Sequence, residues 1–286
     1  MLARDERHGA SLAFAVVLLV IAMMSIQLGA ALAKTMFGRV GAIGAVTLRV
    51  SLAAILLVGA LRPWRSRRTS AQWRLVLVYG LALGAMNALF YAALRTIPLG
   101  VAVAIELAGP LAVALHGSRR VVDFVWIALA IAGLITLLPV AGSNVEASGV
   151  ACALGAGACW ALYIVVGRKA GAEHGLQTTA AGMAVAALLV LPFGIAEAGI
   201  GLLDPSLLPF AVGAAVLSSA LPYCLEILAL PRMPAATFGT LMSAEPAFGA
   251  LSGLVLLDEH LSGLQWLAIA AIMLASAGTT LTASGR

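Results

Sequence analysis

The sequence predicts an all-α membrane protein of ten transmembrane helices, arranged as a 5+5 inverted-topology repeat. Three observations lead to this prediction: the composition, a succession of apolar segments, and residues that match between the two halves. Of the 286 residues, 62% are hydrophobic and 10% are charged, and the mean hydropathy is +1.06. An ordinary soluble domain carries about 25% charged residues. The chain is therefore expected to lie in a lipid bilayer.

Ten apolar segments follow one another along the chain, and only short polar loops separate them. Each segment is continuously apolar over about 20 residues, the length of a helix that crosses a bilayer, whereas barrel strands alternate over about ten. The loops leave no room for a soluble catalytic domain. We predict helices at 12–33, 43–61, 75–94, 99–116, 124–141, 149–167, 178–197, 207–230, 237–257 and 264–282.

The first span has some features of a cleaved signal peptide. Arg4 and Arg7 precede it, and the small-residue run Ala31-Leu32-Ala33 follows. Its apolar run nevertheless exceeds the roughly 7–15 residues of a signal h-region. We expect this span to remain as a helix, with cleavage as the alternative.

The basic residues are concentrated in the termini and in alternate loops. Thirteen of the 17 lysines and arginines fall in the termini and in alternate loops, namely Arg4, Arg7, Arg62, Arg65, Arg67, Arg68, Arg74, Arg119, Arg120, Arg168, Lys169, Arg232 and Arg286. The other loops hold only Lys34, Arg39 and Arg95. This is a strong positive-inside bias, so we expect a multi-pass protein of the bacterial inner membrane with both termini in the cytoplasm. The net charge of +5 then reports topology, and no nucleic-acid partner is expected.

The two halves of the chain match one another at similar span boundaries. An offset of 136 residues places Pro110 on Pro246, and an offset of 134 places Gly41 on Gly175. Five helices in each half is an odd number, so the second half enters the membrane from the opposite side. Inverted repeats of this kind are typical of transporters. We predict that the two repeats occupy residues 1–141 and 149–286.

Two acids stand beside prolines in matching spans. Glu106, in AIELAGPLAVAL, precedes Pro110 by four residues, and Glu245 directly precedes Pro246. A proline inside a helix frees the carbonyl four residues earlier, which here is that of Glu106 itself. A charged acid at a helix centre costs about 2.5–3.5 kcal/mol on insertion scales. We predict that Glu106 and Glu245 bind substrate and protons; the alternative is a packing kink with a protonated acid.

Other polar groups inside the spans are candidates for the same site. We expect Arg49 to pair with Glu106 or with a substrate carboxylate, because exposure of arginine to lipid is costly. We expect each uncharged polar or aromatic side chain within a span either to line a cavity or to pack between helices, with no preference between the two. Those taken as site candidates are Asn87, Trp160 and Tyr223.

Glu226 lies four residues after Pro222, near the predicted cytoplasmic end of the eighth span. It is a possible inner gate, and the alternative is that it extends towards Arg232 at the membrane surface. With Pro110 and Pro246, Pro222 is the third predicted helix kink.

Several classes of function find no support in the sequence. Cys152, Cys159 and Cys224 all fall within spans without a third ligand at suitable spacing, so no metal, cofactor or disulfide is expected. No nucleophile elbow, phosphate-binding loop or HExxH motif indicates an enzyme.

Two glycine motifs and one helix cap are also predicted. Gly80-x-x-x-Gly84 and Gly249-x-x-x-Gly253 favour close packing within a monomer, with a homodimer as the alternative. Ser262 and Gln265 match a capping box for the last helix.

Four long stretches give the chain a family resemblance. They are GAMNALFYAALRTIPLGVAVAIELAGPLAVAL from 84, SRRVVDFVW from 118, GACWALYIVVGRKAGAEHG from 157 and TFGTLMSAEPAFGALSG from 237. With these stretches the chain resembles, nearly end to end, the bacterial threonine and homoserine exporters, the EamA-type carriers of the drug/metabolite transporter superfamily. The resemblance implies ten helices in an inverted repeat and efflux of small neutral amino acids, driven by the proton gradient.

The expected partners are a small zwitterionic amino acid, protons as the coupling ion, and the lipid bilayer. A zwitterion needs one cationic and one anionic contact, and Arg49 with Glu106 or Glu245 supplies them. One alternative keeps the fold and exports another metabolite or an amphipathic cation. An alternative of another class is a membrane scaffold or a lipid-modifying enzyme.

The charge distribution generates a test of topology. Single cysteines replacing Ser66 and Ser143, in a background without the three native cysteines, should react with an impermeant maleimide from opposite sides of the membrane. Labelling of both from the same side would contradict the ten-span prediction.

Overall fold

The computed structural model describes residues 2–115, 121–137, 145–170, 175–222, 225 and 241–283, and every regular element in these ranges is helical. The helices are α1 (Leu2–Lys34), α2 (Phe37–Leu61), α3 (Ser70–Ala93), α4 (Leu99–Glu106), α5 (Ala108–Leu115), α6 (Val121–Thr136), α7 (Ala147–Ala170), α8 (Gly175–Ala198), α9 (Leu208–Ala215), α10 (Glu245–Leu257) and α11 (Gly263–Ala283). Short 3-10 turns lie at Pro63–Arg65, Gly199–Leu203 and Pro205–Leu207.

Five helical segments are long and apolar enough to cross a membrane. They are Ala13–Lys34, Phe37–Leu61, Ser70–Ala93, Ala147–Gly167 and Gly175–Leu203. Shorter apolar helices overlap the other predicted spans, at Leu99–Val113, Phe124–Thr136, Pro205–Ala220, Glu245–Leu257 and Gly263–Thr279. The all-α membrane class is therefore confirmed.

The helices pack in a regular set of pairs. Three pairs join a helix of the first half to one of the second half: α2 with α8, α4 with α10, and α6 with α11. Helix α3 packs against both α7 and α8, and α1 packs against both α9 and α10. The elements that carry the candidate site residues are thus drawn from both halves.

Both glycine motifs face helices of the same chain. A Cβ atom added at Gly80 would lie 2.7 Å from the carbonyl oxygen of Gly182 in α8, so α3 and α8 approach closely there. A Cβ atom added at Gly249 would lie 3.4 Å from the Cα of Gly100 in α4. The packing within the monomer that the two motifs favour is present in the structure.

Gly41 and Gly175, the two glycines that the repeat comparison aligns, both have a positive φ. Gly41 interrupts the start of α2 with φ of 71°, and Gly175 begins α8 with φ of 27°. Residues with a Cβ rarely adopt positive φ, so each position favours glycine.

The break predicted beside Glu106 is present. Helix α4 ends at Glu106, Leu107 is a turn residue, and α5 begins at Ala108. Pro110 has no N–H to donate to the Glu106 carbonyl, which explains why the helix is interrupted here. A Cβ atom added at Gly157 of α7 would lie 2.7 Å from that carbonyl oxygen, so α7 approaches the break closely.

Pro222 and Pro246 do not simply kink a continuous helix. Pro222 follows a turn of π-helix at Val216–Ala220, in which the Leu221 N–H donates to the Val216 carbonyl five residues earlier. Pro246 lies in the first turn of α10, after a turn at residues 243–244, so it marks a helix start. Residues 223–224 and 226–240, which include parts of the predicted eighth and ninth spans, lie outside the described residues.

The loops that the charge count assigns to the outer side of the membrane meet at one end of the helix bundle. Lys34 pairs with Glu259 at 2.6 Å, and Glu259 also accepts the Leu99 N–H at the start of α4. Arg95 pairs with Glu197 at 3.3 Å. These contacts join the ends of α1, α4 and α8, and the loop before α11, on a single surface.

Two further features stabilise this end. Ser262 and Gln265 form the predicted capping box, with reciprocal hydrogen bonds of 2.9 and 3.2 Å. Asp204 pairs with Arg39 at 2.5 Å. Its carboxyl has a pKa below the usual range because the Ser206 hydroxyl and backbone N–H donate to it and Arg39 lies beside it.

The contact between α5 and α7 generates a stability prediction. A Cβ atom added at Gly109 would clash with the Gly157 carbonyl, whereas one added at Gly59 meets open space. Gly109→Ala should lower the free energy of unfolding in detergent by about 1–3 kcal/mol, the usual cost of overpacking. The matched control Gly59→Ala should leave it unchanged or raise it slightly, because alanine favours helix. Equal thermal stability of the two variants would contradict this packing.

Candidate functional site

Arg49 lies in the middle of a polar cluster between α2, α3 and the π-helical turn. Its side chain is buried, with 7% of the residue exposed. The Nη1 group donates to the Ser218 hydroxyl oxygen at 2.9 Å, and the Nη2 group donates to the Asn87 amide oxygen. The guanidinium is therefore anchored by two neutral oxygens from two different helices.

The anchoring groups are themselves held in place. The Asn87 Nδ2 group donates to the Leu83 carbonyl at 2.8 Å, so its amide oxygen faces Arg49. The Ser218 hydroxyl donates to the Ala214 carbonyl at 2.6 Å, which leaves its oxygen free to accept from Arg49. The orientation of the guanidinium is thus fixed before any ligand arrives.

Tyr91 covers one face of this cluster. The guanidinium carbon of Arg49 lies 4.9 Å from the centre of the Tyr91 ring, a cation–π geometry. The Arg49 Nε atom is buried and has no hydrogen-bond partner among the described residues. One N–H donor of the guanidinium therefore remains available for a ligand.

The two predicted acids are both buried, with 7% of each residue exposed. Glu106 is the last residue of α4 and Glu245 is the first of α10, two helices that pack together. Glu245 accepts a hydrogen bond of 3.1 Å from the Gln27 Nε2 group of α1. Glu106 lies within electrostatic range of both Glu245 and Arg49. The structure therefore brings the acids and the arginine into one region.

The expected direct pair between Arg49 and Glu106 is wrong for this structure. No ion pair joins them in the described part of the chain, and the guanidinium donates to Asn87 and Ser218 instead. The physical reason is packing: α2 lies against α3 and α8, whereas α4 lies against α10 and α7. Arg49 and Glu106 therefore attract one another without direct contact.

Glu106 and Glu245 repel one another when both are ionised. Buried like charges are unfavourable unless they are compensated. A proton on one acid, or a cationic ligand between them, reduces this repulsion.

The remaining predicted site residues have different outcomes. Trp160 is half-buried and packs against the apolar cluster that contains much of α4. It follows Cys159, whose thiol lies within electrostatic range of Glu106. Tyr223 and Glu226 lie outside the described residues, so their roles stay predictions.

Sequence reasoning missed two residues that the structure places in important contacts. Ser218 supports Arg49, and its position four residues before Pro222 was the available signal, because that proline disturbs the preceding turn. Glu197 accepts the Ile43 and Gly44 N–H groups at 2.6 and 2.9 Å, beside the irregular backbone at Gly41. Only its position at the outer end of an apolar span distinguished it. No group of three potential metal ligands occurs among the described residues.

Known proteins resemble the chain over nearly its whole length. It is 53% identical to the threonine/homoserine exporter RhtA of Salmonella typhimurium strain SL1344 over 269 residues, covering 93% of this chain and 91% of the relative. The protein of the same name from Escherichia coli K12 is 52% identical over the same shares. The uncharacterized transporter YwfM of Bacillus subtilis strain 168 is 29% identical over 246 residues, with 82% and 81% covered.

A family match and one solved structure add to these similarities. Residues 147–281 match the EamA-like transporter family. A protein of known crystal structure aligns over 94% of this chain and 98% of its own, with a TM-score of 0.62 and 21% identity, which shows a shared fold.

The buried charges within a bundle of apolar helices, together with these relatives, define a membrane transporter and not an enzyme. The chain belongs to the EamA-like transporter family.

The Arg49 cluster generates a prediction about folding. Arg49→Met leaves the buried Asn87 oxygen without its donor, and an unsatisfied buried acceptor costs about 1–3 kcal/mol. We expect a lower unfolding temperature in detergent, measured by gel filtration of heated samples. Arg74→Met, which removes an exposed arginine from the start of α3, is the matched control and should behave as wild type. Indistinguishable stability of the two variants would contradict the anchoring role of Arg49.

Proposed function

We propose that this transporter exports threonine, homoserine or similar small amino acids across the bacterial inner membrane in exchange for protons. The single observation that carries the proposal is the placement of an anchored arginine and two buried acids in one region of the bundle. The names of relatives that are 52–53% identical support the substrate class. A zwitterion needs fixed groups of both signs, and this region supplies them.

Arg49 is the proposed contact for the substrate carboxylate. Arginine and carboxylate form strong charge-assisted hydrogen bonds. Asn87 and Ser218 hold the guanidinium without neutralising it, because both are uncharged. The positive charge is therefore still available to a substrate, which would not be so if a carboxylate of the protein were bound directly.

Glu106 and Glu245 are the proposed sites for the substrate ammonium and for protons. A proton on one of these acids removes the negative charge that an ammonium group would bind, so a proton and the substrate ammonium compete for the same carboxylate. Binding of one then disfavours binding of the other. This competition exchanges substrate for protons if the site opens to each side of the membrane in turn.

The arrangement proposed for such exchange is ten helices in two inverted repeats, with both termini in the cytoplasm. The pairing of helices supports it. A two-fold relation between the halves maps the pairs α2–α8, α4–α10 and α6–α11 onto themselves, and maps α3–α7 onto α9–α1, a pair that also packs. The shared positive φ of Gly41 and Gly175 is a second support.

The test of this function is counterflow of labelled threonine in proteoliposomes. Unlabelled homoserine and threonine on the opposite side should accelerate uptake of the label. The same assay with a panel of other amino acids and a cationic dye would show whether the protein transports a different substrate. Absence of counterflow with every amino acid would contradict the proposal.

The acids generate a prediction about coupling. Glu106→Gln and Glu245→Gln keep the side-chain shape but remove ionisation, so at least one should abolish export driven by a pH gradient. Transport is measured in proteoliposomes at matched amounts of folded protein. Glu146→Gln changes an exposed acid just before α7 and is the matched control. Full pH-driven flux in both site variants would show that the acids are structural.

A further inference from the structure

Gln27 of α1 is a buried side chain in direct hydrogen-bond contact with Glu245. Only 2% of the residue is exposed. Its Nε2 group donates to Glu245 Oε1 at 3.1 Å, across the interface between α1 and α10. This donation uses the N–H side of the amide and orients the side chain relative to the acid.

The carbonyl oxygen of the same amide, Gln27 Oε1, is buried and accepts no hydrogen bond from the described residues. It lies close to α10, where a Cβ atom added at Gly249 would be 3.3 Å from this oxygen. A buried carbonyl without a donor is unfavourable, and such groups are rare in folded proteins. A ligand that brings an N–H group would satisfy it.

We propose that Gln27 determines specificity for a primary ammonium group. In this proposal, which rests on the proposed amino-acid export, Glu245 supplies the negative charge and Gln27 Oε1 accepts one of the substrate N–H groups. The amide thus has two functions: its N–H side holds the acid, and its carbonyl side reads the substrate.

The chemistry of the ammonium group sets the selectivity. A primary ammonium has three N–H donors, and three buried acceptor groups are near it: Glu106, Glu245 and Gln27. Each N-methyl group removes one donor and adds bulk. The two carboxylates attract any cation, whereas the neutral carbonyl of Gln27 is satisfied only by a donor. Gln27 therefore discriminates by hydrogen bonding where the acids discriminate by charge.

The test is competition for binding of labelled threonine to the purified full-length protein. Unlabelled threonine and N-methylthreonine are the competitors, and the ratio of their inhibition constants is the readout. Gln27→Met keeps the length but removes the carbonyl, and it should reduce that ratio roughly tenfold, as expected for loss of one good hydrogen bond. Gln27→Asn has a shorter side chain, which moves the carbonyl away from the ligand, and it should also reduce the ratio. This second variant replaces Gln27→Met in the test if Gln27→Met does not fold.

Ser25→Ala is the matched control. Ser25 is a buried polar residue of the same helix whose hydroxyl already donates to the Leu217 carbonyl at 2.6 Å. Its variant should keep the wild-type ratio. If the Gln27 variants bind threonine with an unchanged ratio of inhibition constants, this inference is overturned while the proposed function stands.

Two other outcomes are also decisive. Complete loss of threonine binding in both Gln27 variants would overturn the inference in this form, because the residue would then be needed for binding as such. Failure of the wild-type protein to bind or transport any amino acid would overturn the proposed function together with this inference.

Discussion

Two buried carboxylates, Glu106 and Glu245, lie within electrostatic range of one another, and Arg49 lies within range of Glu106; this buried cluster of charged groups is the constraint on which the rest of the structure depends. The interior of a helical membrane protein offers little water to screen or compensate charge. The folded chain must therefore hold the three groups close enough to share a field. The structure does so with four helices from both halves: α2 holds Arg49, α4 and α10 hold the acids, and α3 supplies Asn87. A proton or a cationic group bound to one acid relieves the repulsion between the two carboxylates.

Interrupted helices place the two acids. Glu106 is the last residue of α4 and Glu245 is the first of α10, so the two carboxylates lie at helix ends of opposite polarity. A helix N-terminus stabilises an anion, whereas a helix C-terminus does not. The two acids therefore lie in different helix-end environments. Discontinuous helices at a binding site near the bilayer midplane are a recurring feature of secondary transporters.

The sequence predicted much of the architecture because the relevant signals are local. Continuous apolar segments, the glycine motifs at Gly80 and Gly249, and the cap formed by Ser262 and Gln265 each depend on neighbours within a few residues. The structure contains the two motifs and the cap, and five of the apolar segments are helices long enough to cross a membrane. The break beside Glu106 follows from the chemistry of Pro110. The full ten-helix inverted repeat stays a prediction, supported by the pairing of helices.

The partners of Arg49 could not be predicted in the same way. They depend on how far each helix is rotated and which helices touch, and hydropathy carries neither quantity. The cost of exposing arginine to lipid suggested a direct pair of Arg49 with Glu106, but α2 and α4 do not pack side by side. Ser218 was missed because its orientation depends on the π-helical turn before Pro222.

The most direct test of the charge balance is the proton count of binding itself. Purified protein in weakly buffered detergent solution, at a pH where one acid of the pair holds a proton, is mixed with threonine while the pH is recorded. If the ammonium group and a proton compete for the same carboxylate, binding releases protons into the solution, and at least one of the variants Glu106→Gln and Glu245→Gln releases none. Binding of threonine by the wild-type protein without proton release at any pH would contradict the account.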